Sequence, residues 1–162
     1  MVYFKKVYIT DLSKAEVELL LRKASVRRDS SLDLASATTD IGTNKLFLGR
    51  IGKSALTFTR LRTSFEKFLP KLIIRLPLDT AECYYQLRFS LSSTFFFVFY
   101  AIAFLGTVTS FLLGDVLIDG LLSIVFTGSI YALVILLEIN LTSKRLNKAL
   151  SQSLLVNPLQ PF

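Results

Sequence analysis

The 162-residue sequence contains no histidine and no tryptophan, and it has a single cysteine, Cys83. One cysteine excludes a disulfide within the chain, and without histidine the usual zinc-ligand sets cannot form. The missing histidine also leaves Cys83 without its common activating base, so a catalytic thiol is not expected. We therefore predict that the protein is not an enzyme and that it binds no metal or other cofactor.

Lysine and arginine are absent from residues 91–137, where the only charged side chains are Asp115 and Asp119. This block is too long for one membrane crossing of about 20 residues and suits two, at about 92–113 and 117–139. A buried helical hairpin of a soluble protein is the alternative, which the lengths of the apolar runs disfavour. Basic residues flank the block on both sides, which predicts two cytoplasmic termini and a short outer turn.

Residues 1–90 are rich in charge and predict a small cytoplasmic domain. The start of the chain, "MVYFKKVYITDLS", lacks the apolar core of a signal peptide and begins with a strand pattern at residues 2–9. A capping box at Ser13–Glu16 predicts one helix from about Lys14 to Ala24. Residues 25–44 are small and polar, which is typical of a flexible loop, although a short strand or turn could form within them. A β-meander of about four strands follows in "KLFLGRI", "SALTFTRL", "KLIIRLPL" and "ECYYQLRF".

Residues 140–162 follow the second apolar run and predict a basic amphipathic tail. Leu146, Leu150 and Leu154 recur at every fourth position, as on one face of a helix lying on the inner membrane surface or against the sheet. The predicted fold class is therefore membrane α+β, with a cytoplasmic β-meander and one helix, then a two-helix transmembrane hairpin (91–139), then an amphipathic C-terminal helix. The basic side chains expected at the membrane surface are Arg88, Lys144, Arg145 and Lys148.

Small residues at a spacing of four predict that the two crossings pack closely. In lipid the hydrophobic effect does not drive helices together, so close van der Waals packing between small residues stabilises their association. Gly106 and Gly128 would lie at the same depth in a tight antiparallel hairpin. The full set of small residues on the two predicted spans is Gly106, Ser110, Gly114, Gly128 and Ala132.

Asp119, Ser123 and Thr127 also recur at a spacing of four, and so share one face of the second span. We favour an interfacial position for Asp119, because it lies about one helical turn from the predicted outer surface. A polar path through the membrane along these three side chains is the alternative interpretation.

Two further patterns are weaker. "GRIGKS" at Gly49–Ser54 resembles the end of a phosphate-binding loop. That motif needs a glycine five residues before Gly52, but Phe47 occupies this position. A strand pattern also follows it, whereas a phosphate-binding loop leads into a helix. We therefore predict a hairpin turn there. The carboxylates of Asp29 and Asp33 have the pattern of a solvated surface.

Several short motifs resemble a group of uncharacterised small bacterial two-span membrane proteins with an N-terminal β-meander domain. They are "FLGRIG", "ALTFTRL", "TSFEKFLP", Glu138 at a helix boundary and the leucine-spaced tail, which together cover about residues 45–155. The chain departs from the group at Thr63, where asparagine is usual, and in the extra residues Glu66 and Lys67. The resemblance implies the same architecture and a bacterial source, and it implies no catalytic residue.

These observations predict a non-enzymatic protein of the bacterial inner membrane that presents a cytoplasmic domain to a protein partner or to lipid headgroups. The alternative is an oligomeric channel or membrane-disrupting effector with its polar face on the second span. Expected partners are membrane lipids and either further copies of the chain or another protein. The net charge of +7 does not favour nucleic acid, because basic flanks of membrane spans account for it.

Overall fold

The computed structural model describes residues 3–33, 45–63, 65–114 and 118–156. These residues form a six-stranded sheet, three α-helices and one short 3₁₀ helix. The strands are β1 (Tyr3–Tyr8), β2 (Ser25–Arg27), β3 (Phe47–Ile51), β4 (Ala55–Arg60), β5 (Leu72–Pro77) and β6 (Tyr84–Phe89). The helices are α1 (Lys14–Lys23), the 3₁₀ helix (Phe65–Phe68), α2 (Leu91–Leu112) and α3 (Ile118–Val156). The strand order is β1-β6-β5-β4-β3-β2.

Strands β3 to β6 form the predicted antiparallel meander. Alternating apolar side chains place one row of each strand on the same face of the sheet, which favours this register. The turn between β3 and β4 is closed by a hydrogen bond from the Gly52 amide to the Ala55 carbonyl, at 3.0 Å. The hairpin turn predicted for "GRIGKS" is therefore confirmed.

The two remaining strands occupy the sheet edges. β1 pairs antiparallel with β6, and α1 connects it to β2, which pairs parallel with β3. The capping box of α1 is confirmed, since the Ser13 amide donates to Glu16 Oε2 at 2.8 Å and the Glu16 amide donates back to Ser13 Oγ. Part of the predicted loop at 25–44 is thus a strand, while residues 34–44 lie outside the described part of the chain.

The sheet has one covered face and one largely open face. Val17 and Leu21 of α1, together with Leu146 and Ala149 of α3, cover the first face. The buried strand residues beneath them are Phe47, Leu56, Phe58, Ile74, Leu76, Tyr85 and Leu87. On the second face, Leu32 packs in a smaller cluster with Leu48, Leu61 and Ile73, while Arg50 is exposed and Arg75 is half-buried. The C-terminal part of α3 is therefore a core element of the domain.

Both long helices are long and apolar enough to cross a membrane. Helix α2 begins directly after β6, where the Ser90 side chain caps it by accepting from the Ser93 amide. Helix α3 has 39 residues and is about 58 Å long at 1.5 Å per residue. It passes the predicted boundary at residue 139 without interruption, so the predicted tail continues the second apolar helix. Its residues from Gln152 onward have no described side chains, and Leu154 is among them.

Candidate functional site

A cluster of buried charges lies where the apolar part of α3 meets the sheet. Glu138 has no exposed surface, and its Oε2 accepts from Arg60 Nη2 at 2.5 Å. Its Oε1 accepts from Arg60 Nε at 3.3 Å and from Arg62 Nη2 at 3.2 Å. Arg60 is the last residue of β4, so these hydrogen bonds join the sheet to the helix directly.

Glu66 in the 3₁₀ helix is the second acid of this cluster. Its Oε1 lies 2.7 Å from Arg60 Nη1 and 3.4 Å from Arg145 Nη2. Burial acts to raise the pKa of Glu66, but the Thr63 amide and the Arg60 guanidinium outweigh it, so the pKa lies below its usual value. We call Arg60, Arg62, Glu66, Glu138 and Arg145 the junction cluster; it holds three cations and two anions.

Backbone carbonyls satisfy much of the remaining donor capacity. Arg62 donates to the Leu69 carbonyl at 2.8 Å and to the Pro70 carbonyl at 2.9 Å, and Arg145 donates to the Leu61 carbonyl. Burial lowers the pKa of Arg62, and the Glu138 carboxylate partly offsets this. The cluster thus connects three segments, the end of β4, the 3₁₀ helix and α3, through ion pairs and hydrogen bonds.

A second charged group lies at the start of α2. Arg88 and Asp33 form a bidentate ion pair, in which both N–O distances are 2.8 Å. Asp33 Oδ1 also accepts from the Leu91 amide at 3.0 Å, at the positive end of the helix dipole. The Arg88 guanidinium is the main cause of the lowered pKa of Asp33. Asp33 is therefore not the solvated carboxylate expected from the sequence.

Lys71 lies beside this pair and precedes β5. Its amide donates to Ser93 Oγ at 2.7 Å, and its ammonium donates to the Leu32 carbonyl. Burial, with a smaller contribution from the nearby Arg62, lowers the pKa of Lys71 to about 8. The start of α2 is thus held to the domain by hydrogen bonds from both sides.

The close contact between the two apolar helices centres on Tyr100. Its hydroxyl donates to the Ile124 carbonyl, its ring lies 6.1 Å from that of Tyr131, and a Cβ added to Gly128 would collide with it. A Cβ added to Gly106 would meet nothing within 4 Å. The approach predicted between Gly106 and Gly128 therefore does not occur within the chain, because the large Tyr100 fills the space beside Gly128.

The other small residues of the predicted stripe have separate positions. Ser110 is half-buried and Ala132 is exposed. Gly114 follows the end of α2 with a φ of 83°, a left-handed conformation that glycine adopts without strain. Of the described glycines of this stripe, Gly128 alone makes a close contact between the two helices, and that contact is with the ring and hydroxyl of Tyr100.

Asp119, Ser123 and Thr127 are all exposed on α3. They lie to one side of the face that contacts α2, which includes Ile124 and Gly128. The Thr127 hydroxyl donates to the Ser123 carbonyl of its own helix at 2.9 Å. Asp115 lies outside the described residues.

The four basic residues expected at the membrane surface divide into two pairs. Arg88 and Arg145 are engaged in the ion pairs above, because carboxylates and carbonyls of the folded domain surround them. Lys144 and Lys148 are exposed. Cys83 is half-buried at the edge of the sheet core, and burial raises the pKa of its thiol.

The sequence reasoning missed Arg60, Arg62 and Glu66. The sequence carried only a weak signal for this cluster. Two arginines lie at the end of a mostly apolar strand pattern, and one acid, Glu138, lies at the end of an apolar run. Among the described residues, no group of three or more histidine, cysteine, aspartate or glutamate side chains could hold a metal ion. No known protein family, curated protein or solved structure matches this chain.

Proposed function

We propose that the chain is a non-enzymatic, two-span protein of the bacterial inner membrane, with both termini in the cytoplasm. Its role is to hold the sheet domain at the inner membrane surface as a binding module for a protein partner or lipid headgroups. The observation that carries this proposal is the continuous helix α3, whose first part is apolar and exposed and whose last part is core of the domain.

Exposed apolar side chains support the membrane setting. On α2 and α3 they include Phe95, Phe96, Phe97, Phe99, Ile102, Leu105, Leu112, Leu122, Phe126, Ile130, Leu133 and Leu136. Soluble monomers rarely expose continuous apolar patches beyond a few hundred Å². In a membrane the apolar lipid tails would cover this surface and keep it from water.

The position of the junction cluster fits a membrane boundary. From Ile118 to Glu138 an α-helix rises about 30 Å, the thickness of the hydrocarbon core. Phe68 of the 3₁₀ helix is 90% exposed and lies two residues after Glu66 of the cluster. An exposed apolar ring at this level is suited to enter the boundary between the headgroups and the acyl chains, as the apolar faces of interfacial helices do.

Cysteine labelling tests the orientation. In a Cys83→Ser background, Gly114→Cys should react with a membrane-impermeant maleimide in intact cells. Lys53→Cys, in the exposed β3–β4 turn, should react only after the membrane is permeabilised. Labelling of Lys53→Cys from outside, or recovery of the protein in the soluble fraction, would contradict the proposal.

A channel is the second candidate function, because Asp119, Ser123 and Thr127 are exposed on α3 beside the face that α2 occupies. Several hairpins could place this polar face around a shared path. Liposomes containing the purified protein should then conduct ions, and Asp119→Asn should abolish the flux. Ser129→Ala is the matched control, since Ser129 is an exposed polar residue of α3 that bonds to its own helix at Val125. Absence of flux from folded oligomers would rule this candidate out.

A further inference from the structure

The open face of the sheet carries a row of polar side chains that crosses five strands. Paired residues along this row are Arg50 with Thr57, Thr57 with Arg75, Arg75 with Gln86, and Gln86 with Lys6. Adjacent strands lie about 4.8 Å apart, so the Cα atoms of Arg50 and Arg75 are separated by roughly 10 Å with Thr57 between them. Both guanidinium groups therefore reach the same space above Thr57.

A shallow hollow of about 230 Å³ occupies this space. Arg50, Arg75 and Arg88 line it, together with the hydroxyl-bearing Tyr3, Ser54 and Thr57. None of the described residues that line it carries a carboxylate. The charge of Arg88 is balanced by Asp33, whereas neither Arg50 nor Arg75 has a carboxylate within 4.0 Å among the described residues. Within the described part of the chain, the hollow therefore holds two positive charges that no carboxylate balances.

A second hollow, on the other side of β3, has a similar volume and also contains arginines, but it differs in how their charges are paired. It also measures about 230 Å³ and is lined by Arg22, Arg27 and Arg50 over an apolar floor. There Arg22 pairs with Glu18 at 2.6 Å and Arg27 pairs with Asp29 at 3.5 Å. Arg50 lines this second hollow as well, and Ser25 adds one hydroxyl group to it. Among the described residues, the open-face hollow therefore differs in combining three hydroxyl groups with two arginines that are paired with no carboxylate.

Geometry also limits which groups suit the hollow. Arginine donates two parallel hydrogen bonds to phosphate, and charge-assisted bonds of this kind are about twice as strong as neutral ones. The Arg75 guanidinium already lies over the Tyr3 ring, 5.6 Å from its centre, which holds it in place. Two arginines from alternate strands and hydroxyls from three directions match the several oxygens of a dianionic phosphate.

We propose that this hollow binds the phosphate group of a phosphomonoester, with Arg50 and Arg75 as its two charged ligands. This proposal specifies a ligand for the binding domain described under the proposed function, and it rests on that binding role. It does not depend on the direction in which the chain crosses the membrane. The phosphate is carried either by a soluble metabolite or by a lipid headgroup, since both present the same oxygens.

Calorimetry on the full chain in detergent tests the soluble source, with glycerol phosphate as the probe. Nanodiscs containing phosphatidic acid, compared with phosphatidylcholine alone, test the lipid source. Arg50→Ala and Arg75→Ala should each weaken binding about tenfold to a hundredfold. Arg75→Lys should lose less than Arg75→Ala, because lysine keeps the charge without the paired donors.

Arg27→Ala is the matched control, since it removes one exposed arginine from the neighbouring hollow and should leave binding unchanged. Binding of either probe that falls in Arg50→Ala and Arg75→Ala but not in Arg27→Ala supports the site and identifies its source. The proposal is overturned if folded wild-type protein binds neither probe, or if all three variants weaken binding equally. A reversed result in the cysteine labelling would refute the orientation and leave this site standing.

Discussion

Glu138 shows how a buried charge is tolerated at the end of an apolar helix. Its carboxylate accepts three hydrogen bonds from Arg60 and Arg62, which lie 78 and 76 residues away in the chain. Removing ions from water costs several kcal/mol each, and the pairing offsets this cost only while all partners are present. The loss of one partner should therefore cost far more than the intact cluster contributes to stability.

Replacement of Glu138 tests this argument. Glu138→Ala should lower the free energy of unfolding by about 3–5 kcal/mol, because it leaves Arg60 and Arg62 buried without their shared carboxylate. Denaturant unfolding of the sheet domain in detergent would measure the change. Glu82→Ala is the control, since Glu82 forms an exposed pair with Lys6 and should show no measurable effect. An equal loss of unfolding free energy in the two variants would contradict the stabilising role assigned to the junction cluster.

Lys71 makes stability depend on pH. Its pKa of about 8 in the folded chain lies below its ordinary value of 10.5, so the unfolded chain binds more protons between these two values. Stability should therefore rise with pH from about 8 to about 10.5, by at most about 3 kcal/mol, and the full cost of burying the charge remains below pH 8.

Comparison of Lys71→Met with wild type isolates this contribution. The variant should lack the rise, whereas Lys53→Met, at an exposed turn, should retain it. Unfolding free energies measured at several pH values between 7 and 10.5 would show the difference. Parallel curves for wild type and Lys71→Met would show that Lys71 is not the group responsible.

These residue contacts were largely beyond prediction from sequence. Asp33 and Arg88 lie 55 residues apart, and neither periodicity nor local spacing links positions so distant. The capping box of α1 was predictable because both of its side chains act within one turn. A long-range ion pair depends on which strand ends face which helix, and the sequence alone does not specify that.

At the scale of elements, one face of α3 has two partners in succession. Ile124, Gly128 and Tyr131 meet α2, and Glu138 and Leu146 on the same side meet the sheet. A helix repeats its faces every 3.6 residues, so an uninterrupted helix keeps this side aligned over its whole length. The hairpin and the domain are therefore in a fixed rotational register.

Substitution of the two helix glycines tests the packing of the hairpin. Gly128→Leu should destabilise the helix pair by about 1–3 kcal/mol, because the new side chain must displace Tyr100 and its hydrogen bond to Ile124. Gly106→Leu changes helix propensity equally but meets open space, so it should not destabilise the pair. Thermal unfolding in detergent would compare the two. A larger loss from Gly106→Leu would contradict the observed contact.

The elements themselves were predicted unevenly. Alternation located β3 to β6, and apolar run length located α2 and the first part of α3. β2 has only three residues, too few for a periodic signal, and it forms because Val26 pairs beside Leu48. The leucine spacing at Leu146 and Leu150 correctly predicted a helix face, and of the two partners expected for it, the membrane surface and the sheet, the structure shows the sheet.

At the scale of the whole molecule, the domain is tied to the helix pair at two points. β6 leads through Ser90 directly into α2, and α3 passes from the apolar segment into the core without a break. Neither connection contains a linker, so the domain cannot rotate freely on its helices. A protein or ligand that bound to the sheet would therefore be held at a fixed distance from the helix pair.

A one-residue insertion tests this rigid connection. One alanine inserted between Leu137 and Glu138 turns the rest of α3 by about 100° and shifts it by about 1.5 Å. Glu138 would then leave Arg60, and Leu146 would leave the core, so the domain should open. Cys83 packs against that core and reports the opening, because its thiol should react faster with a maleimide than in wild type.

The same insertion between Gly114 and Asp115 is the control. It lengthens the connection between α2 and α3 and leaves every residue of α3 in its own register, so Cys83 should react at the wild-type rate. Fast reaction only after the insertion at Leu137 would support a domain whose fold depends on the rotational setting of its second helix. Slow reaction in both variants would mean that the sheet folds independently of α3, and the domain would then be joined to the helix pair without being locked to it.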